Sequence, residues 1–275
     1  LVLASGVLAS CLTLPLLQEL PFGIDWIGFS TLTNQIATAG DLSLPGTNDG
    51  FWTYTPAFPS LAAWIQETLN ISPAEAVFQL GHYSLFALVL GIGGAMDRHG
   101  SGANGILAMG LGAGLFAKVF DSGYPSVASQ LGLVVGLLVL LRPTSTRGKH
   151  HTSGFILAFF SVLLIHPTGA IYLGMLMFAH IIIGLSLNEQ HGENIKKLLF
   201  TSLILLTIAG AIALLILAPR MLDTAVFAEY GWQGGRPMLM YNGILLFLGI
   251  YAAWKLRNSI EGRLLAVWFT GLWVL

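Results

Sequence analysis

Long apolar runs alternate with short polar segments along the whole chain. These runs cover residues 1–20, 76–96, 104–120, 126–141, 153–166, 169–187, 198–218, 240–255 and 263–275. Because a helix needs about 20 apolar residues to cross a bilayer, the pattern predicts an all-α polytopic membrane protein with about nine transmembrane helices. The shortest runs, notably 153–166, are expected to be tilted, re-entrant or shielded by neighbouring helices.

Composition strengthens this prediction and excludes other classes of protein. Hydrophobic residues make up 55% of the chain and charged residues 9%, whereas soluble domains carry about 25% charged residues. A net charge of -1 without a basic tract argues against nucleic acid as a partner. The single cysteine excludes an internal disulfide and a cysteine-based metal site. We expect one transmembrane domain over residues 1–275, truncated at both ends, because the chain starts without Met and stops inside an apolar run.

The distribution of lysine and arginine predicts how the spans are oriented, since cytoplasmic loops retain an excess of these residues. If residues 21–75 form an external loop, nine of the 12 basic residues fall in internal connections, namely Arg98, Arg142, Arg147, Lys149, Lys196, Lys197, Lys255, Arg257 and Arg263. The other three, Lys118, Arg220 and Arg236, fall outside. Four segments, 21–75, 120–126, 166–170 and 218–243, are therefore predicted to share the extracytoplasmic face of the plasma membrane.

The large first external loop is predicted to contain two short interfacial helices. Ile24, Ile27, Leu32 and Ile36 have helix-like spacing, and a turn-rich stretch follows them. The second part of the loop carries rings that suit the bilayer interface, at Phe51, Trp52, Tyr54, Phe58 and Trp64. Asp25 is expected at the start of the first helix, near the plane of the membrane.

Several short stretches carry a resemblance to a known family. The sequences "GIDWIGF", "AGDLSLPG", "YTPAFPSLAAWI", "DSGYPSVASQLGLV" and "HPTGAIYLGML", following a first apolar span, resemble the GT-C superfamily of membrane glycosyltransferases. The resemblance implies transfer of a sugar from a polyprenyl-(di)phosphate-linked donor to a glycan, lipid or protein acceptor on the extracytoplasmic face. It also implies that the acidic residue of the first loop, here Asp25, acts as catalytic base. Membrane lipids would be further partners.

The candidate site residues follow from this chemistry. A hydroxyl that attacks an anomeric carbon needs a carboxylate to take its proton, and the departing phosphate needs positive charge. The predicted catalytic residues are Asp25 and Asp121, and the predicted substrate-binding residues are His166, Arg220, Arg236, Tyr54, Tyr124 and His82. Whether Asp25, Asp121 and His166 hold a divalent cation is left open, because some members of the family use such an ion and others do not.

Structural roles are open for the same residues. Asp25 could cap the first interfacial helix, Asp121 could pair with Lys118 three residues earlier, and each histidine could make only structural hydrogen bonds. Two other classes of function also stay open. A non-catalytic scaffold or accessory subunit needs only a packed apolar bundle, and a transporter is the weaker alternative because the long spans hold almost no ionisable residues.

The orientation can be tested by labelling. In a Cys11→Ser background, a cysteine at position 147 should not react with a membrane-impermeant maleimide in intact cells, because the basic loop around it is predicted to be cytoplasmic. A cysteine at position 48 should react in the same cells. Labelling of position 147 before permeabilisation would overturn the predicted topology.

Overall fold

The computed structural model describes residues 2–17, 21, 23–40, 55–97, 100–111, 119, 122–140, 150–187, 244–259, 262–264 and 266. All regular structure in these ranges is α-helical, which confirms the predicted all-α class for this part of the chain. The helices are α1 (Val2–Leu17), α2 (Asp25–Ala39), α3 (Ala57–Leu69), α4 (Pro73–Asp97), α5 (Gly102–Leu111), α6 (Tyr124–Leu140), α7 (His150–Ile165), α8 (Pro167–Leu187) and α9 (Ile244–Lys255).

Within the described residues, α4 is the one helix that is both long and apolar enough to cross a membrane. Shorter apolar helices cover Val2–Thr13, Tyr124–Leu140 and Ser153–Ile165. The predicted run 198–218 and most of 263–275 lie outside the described residues. The prediction of about nine spans and of a large external loop therefore stays a prediction.

The sequence at both ends of α4 explains where this helix begins and ends. Ser72 accepts a hydrogen bond on Oγ from the backbone N–H of Glu75, at 3.2 Å, and Pro73 occupies the first helical position. Serine before a helix, proline first and glutamate third form a strong start signal. At the other end, Gly100 has a φ of 68°. The backbone N–H of Ser101 donates to the carbonyl of Met96, which forms a Schellman motif.

Two compact units divide the chain, Leu1–Val134 with Ser161–Gly169, and Val135–Phe160 with Ala170–Leu275. In the first unit, α4 is central, because α1, α2, α3 and α5 all contact it. The core of this unit is built from buried residues of several helices, including Phe29, Phe58, Val77, Phe78, Leu85, Leu88 and Tyr124. In the second unit, Gly136 lets the side chain of Leu173 approach its backbone, since a Cβ atom there would lie 2.7 Å from Leu173 Cδ1.

The two helices predicted within residues 21–75 are present as α2 and α3, and Asp25 is the first residue of α2. The predicted apolar face of α2 is only half right. Its buried residues are Phe29, Leu32, Thr33 and Ile36, whereas Ile24 and Ile27 are 75% and 54% exposed.

The predicted interfacial rings divide in a similar way. Trp64 is exposed, but Phe58 is buried in the core, where its ring packs edge-on against Phe29. The prediction that Phe58 lies at the bilayer interface is therefore wrong, because α3 turns this ring towards α2. Phe51, Trp52 and Tyr54 lie outside the described residues.

Large apolar side chains cover much of the outer surface of the helices. Leu3, Leu157 and Phe178 are all more than half exposed. In contrast, several polar side chains are buried, namely Thr33, Thr55, His82, Ser122, Ser129 and His180. The described part of the chain thus combines an apolar core with many large apolar side chains on its surface.

Candidate active site

Four of the stretches that carry the family resemblance meet within the first unit. The first contact joins "GIDWIGF" to "YTPAFP", because the buried rings of Phe29 in α2 and Phe58 in α3 lie 5.8 Å apart at 63°. Edge-to-face pairs of this kind contribute about 0.5–1.5 kcal/mol beyond the area that they bury. Asp25 lies one helical turn before Phe29, so this contact fixes the end of α2 that carries the carboxylate.

A hydrogen bond joins "YTPAFP" to Ile165, the residue directly before "HPTGA". Helix α7 ends at Ile165, and His166 separates it from α8, which begins with Pro167. The last carbonyls of a helix lack partners within that helix. Thr55 provides the donor for one of these carbonyls: its buried side chain donates from Oγ1 to the Ile165 carbonyl at 2.8 Å. The residues just before α3 are thereby fixed against the turn that contains His166.

Close packing joins "HPTGA" to "DSGYPSVAS". A Cβ atom at Gly169 would lie 2.7 Å from Val162 Cγ1 and 3.0 Å from Ser129 Oγ. Only glycine therefore lets the first turn of α8 approach α6 this closely. Ser129 is buried and donates to the Ser126 carbonyl at 2.8 Å, so its hydroxyl is satisfied within its own helix.

Tyr124, the first residue of α6, packs into α4. Its side chain is fully buried, and its ring lies 6.4 Å from Phe78 and 5.7 Å from His82, measured between centroids. The ring fits because residue 81 is glycine, and a Cβ atom there would overlap it. The phenolic hydroxyl approaches Ser122 without the geometry of a full hydrogen bond.

His82 is held in a defined orientation. Its Nδ1 lies 2.9 Å from the Phe78 carbonyl, and its ring lies 4.3 Å from that of Phe78. A carbonyl oxygen only accepts hydrogen bonds, so Nδ1 carries the proton and Nε2 is the acceptor nitrogen. Nδ1 therefore makes the structural hydrogen bond that was one of the alternatives for His82. Nε2 keeps a lone pair that can accept a hydrogen bond from a hydroxyl group.

Asp25 lies in the first turn of α2. The N-cap residue is Ile24, which makes no side-chain capping bond, and Asp25 is the first helical residue. That the Asp25 carboxylate satisfies free N–H groups of this turn stays a prediction. A carboxylate in the first turn is still stabilised by the positive end of the helix dipole.

The structure describes only some of the predicted site residues. Asp25, His82, Tyr124 and His166 lie in the first unit, and the contacts through Phe29, Phe58, Thr55 and Ile165 connect the segments of Asp25 and His166. Tyr54, Asp121, Arg220 and Arg236 lie outside the described residues. Their predicted roles stay predictions.

Cavities and metal ligands do not locate the site by themselves. A cavity of about 260 Å³ in the first unit lies between α1, α4 and α5, near Ser5, Gly93 and Asp97, away from the meeting point of the four stretches. Among the described residues, no three of His, Cys, Asp and Glu come together as a metal-binding group. Because Asp121 is not among them, the question of a divalent cation at Asp25, Asp121 and His166 stays open.

Some residues that build this site were missed at the level of sequence. Thr55 and Gly81 were not singled out, although one makes the long-range hydrogen bond and the other receives the Tyr124 ring. Their only sequence signals are a threonine before a proline and a glycine next to a histidine, and both signals are common. Comparison with known proteins adds no further assignment: no family model, curated protein or solved structure matches the chain at a significant level.

The packing of Tyr124 against Gly81 predicts a specific loss of stability. The methyl group that Gly81→Ala adds overpacks the site at a cost of about 1–3 kcal/mol. Alanine favours helices by about 1 kcal/mol over glycine, so the free energy of unfolding should fall by up to about 2 kcal/mol. Gly94→Ala is the matched control, because it lies in the same helix with no atom within 4 Å of its Cβ position. Thermal unfolding in detergent measures both, and equal melting temperatures for the two variants would contradict this packing.

The Thr55 hydrogen bond predicts a second difference. Thr55→Val keeps the branched shape but leaves the Ile165 carbonyl without its partner, which should cost about 0.5–1.5 kcal/mol. Thr55→Ser keeps the hydroxyl and should cost clearly less. If the valine variant unfolds at the same temperature as the serine variant, the hydrogen bond does not hold this turn.

Proposed function

We propose that this protein is a membrane glycosyltransferase of the GT-C type, which transfers a sugar from a polyprenyl-(di)phosphate donor to an acceptor on the extracytoplasmic face. The observation that carries the proposal is that four stretches come together in one unit. Phe29 contacts Phe58, Gly169 lies against Ser129, and Thr55 bonds Ile165, the residue directly before "HPTGA". Two segments that the basic residues predict to be external, 21–75 and 166–170, supply contact residues, and Ser129 lies three residues after a third such segment, 120–126. A site there would draw on residues far apart in the chain.

Placement in a membrane is supported by the surface of the helices. Exposed leucine and phenylalanine side chains with buried threonine, serine and histidine suit a lipid surrounding, in which apolar groups face outward and polar groups bond internally. Helix α4 is long enough to cross the bilayer. A donor with a polyprenyl tail then reaches the site sideways, from within the membrane, through a cavity that the first external loop walls.

The proposed reaction assigns one role to each charged group. Asp25 takes the proton from the acceptor hydroxyl, whose oxygen forms the new bond to the anomeric carbon. The bond from that carbon to the phosphate oxygen breaks, and the lipid phosphate leaves with the electron pair. Arg220 and Arg236 stabilise the phosphate charge, while Asp121 orients the acceptor.

The remaining predicted residues are assigned to the sugar and to the support of the site. Tyr54 and His166 bind sugar hydroxyls. His82 and Tyr124 were predicted to bind substrate as well, but both are buried at 3% and 0% exposure. We therefore assign these two a positioning role, in which their ring contact holds the start of α6 against α4 beneath the site.

The role of Asp25 has a direct test. Asp25→Asn keeps the size of the side chain and removes the base, so transfer of labelled sugar from membrane lipid should fall by about 10²- to 10⁴-fold, with the melting temperature nearly unchanged. Asp97→Asn is the control, because it makes the same substitution at an exposed carboxylate in the last turn of α4, and it should transfer sugar normally. Both variants are compared at equal expression.

Wild-type transfer by the Asn variant would remove Asp25 as the base and move that role to Asp121. Absence of transfer in the unmodified protein, with every donor class supplied, would favour the scaffold function instead.

A further inference from the structure

Helix α9 presents an apolar stripe to its surroundings. Phe247, Tyr251 and Trp254 follow one another at helical spacing and are 62%, 56% and 56% exposed. Leu248 and Ile250 beside them are 53% and 50% exposed, and Ala253 is buried. A stripe of large apolar side chains at the surface marks contact with another apolar phase or partner. On a helix whose whole sequence is apolar until its last residue, that phase is the hydrocarbon of a bilayer.

Two cations gather over the rings at the C-terminal end of this stripe. Lys255 Nζ lies 5.7 Å from the ring centroids of both Tyr251 and Trp254, and Arg257 Cζ lies 5.0 Å from that of Trp254. Arg257 Nη1 also donates to the Trp254 carbonyl at 3.0 Å. Cations are favoured at this end of a helix by its dipole and its free carbonyls. The rings and the two side chains therefore hold each other in place.

The turn after α9 brings a third cation to the same place. Arg263 Nε donates to the Arg257 carbonyl at 3.1 Å, and the turn between them is fixed by Ser259, which bonds Leu256 and Gly262. Neither Lys255 nor Arg257 pairs with a carboxylate in the part of the chain that the structure describes. Lys255 and Arg257 are therefore available to an anion at this end of α9.

We infer that the end of α9, with Lys255, Arg257 and Arg263, binds the phosphate of an anionic phospholipid whose acyl chains lie along the stripe of Phe247, Tyr251 and Trp254. Each part of the lipid meets matching chemistry: hydrocarbon on the stripe, the interfacial region on the tyrosine and tryptophan rings, and phosphate on the cations. The three basic residues belong to the segments predicted to be cytoplasmic, and anionic lipids attract basic residues on that leaflet. The inference needs membrane insertion but does not need the proposed transferase activity.

Native mass spectrometry of the detergent-solubilised protein tests the site. Phosphatidylglycerol and phosphatidylcholine are added at equal concentration, and the bound lipid is counted. We expect a preference for phosphatidylglycerol in the unmodified protein, which the double variant Lys255→Gln with Arg257→Gln reduces about 25-fold, since each basic residue at a membrane surface contributes about fivefold.

The matched control is Lys196→Gln with Lys197→Gln, which removes the same charge from another basic pair predicted on the same side. This control should keep the preference, and an equal loss in both double variants would overturn a defined site, because it would show attraction to net charge alone. Trp254→Leu keeps an apolar side chain but removes the ring that positions both cations, so it should also weaken the preference. Full preference in both the Lys255/Arg257 and the Trp254 variants would overturn the inference.

A separate arm identifies the source of the phosphate. Inorganic phosphate, added at the lipid's concentration, should not displace phosphatidylglycerol, because it gains nothing from the apolar stripe. Displacement by inorganic phosphate would assign the site to free phosphate and would overturn the proposal of a lipid ligand.

Discussion

The hydrogen bond from Thr55 to the Ile165 carbonyl is the interaction on which the arrangement of the candidate site depends. Pro167 and the break at His166 leave carbonyl groups free at the end of α7, and a buried free carbonyl is costly. A residue 110 positions earlier in the chain satisfies one of them. The turn that carries His166 is thereby tied to the start of α3, and through Phe58 and Phe29 to the helix that carries Asp25.

Many other polar side chains in the described residues bond a carbonyl of their own helix, whereas the Thr55 bond joins segments that are far apart in the chain. Ser84 and His82 both bond carbonyls four residues earlier in α4, and Thr31 and Thr38 do the same in α2. A bond of this kind satisfies a polar group without specifying which helices meet. Which helices associate then depends on complementary shape. Gly81 leaves room for the Tyr124 ring, and Gly169 leaves room for Ser129.

Sequence reasoning predicted the elements better than their contacts. The apolar run 76–96 predicted most of α4, and helix-like apolar spacing predicted α2, because these signals are local in the chain. The predicted face of α2 is wrong at Ile24 and Ile27, since Ile24 precedes the helix and Ile27 is exposed while its neighbour Trp26 packs against the core. Thr55 and Gly81 could not be predicted, because their importance comes from partners 110 and 43 positions away, and no local pattern records such a distance.

The position of Asp25 follows from packing rather than from a membrane span. This residue starts a helix of 15 residues whose buried face is Phe29, Leu32, Thr33 and Ile36, and the partners of that helix are α3 and α4. A carboxylate carried on a span would share that span's depth in the bilayer, whereas one carried on a short helix packed over α4 is placed by side-chain contacts alone. Substitutions at Phe29 or Phe58 should therefore displace the carboxylate without altering α4, which separates the geometry of the candidate site from the one described helix that is long and apolar enough to cross a membrane.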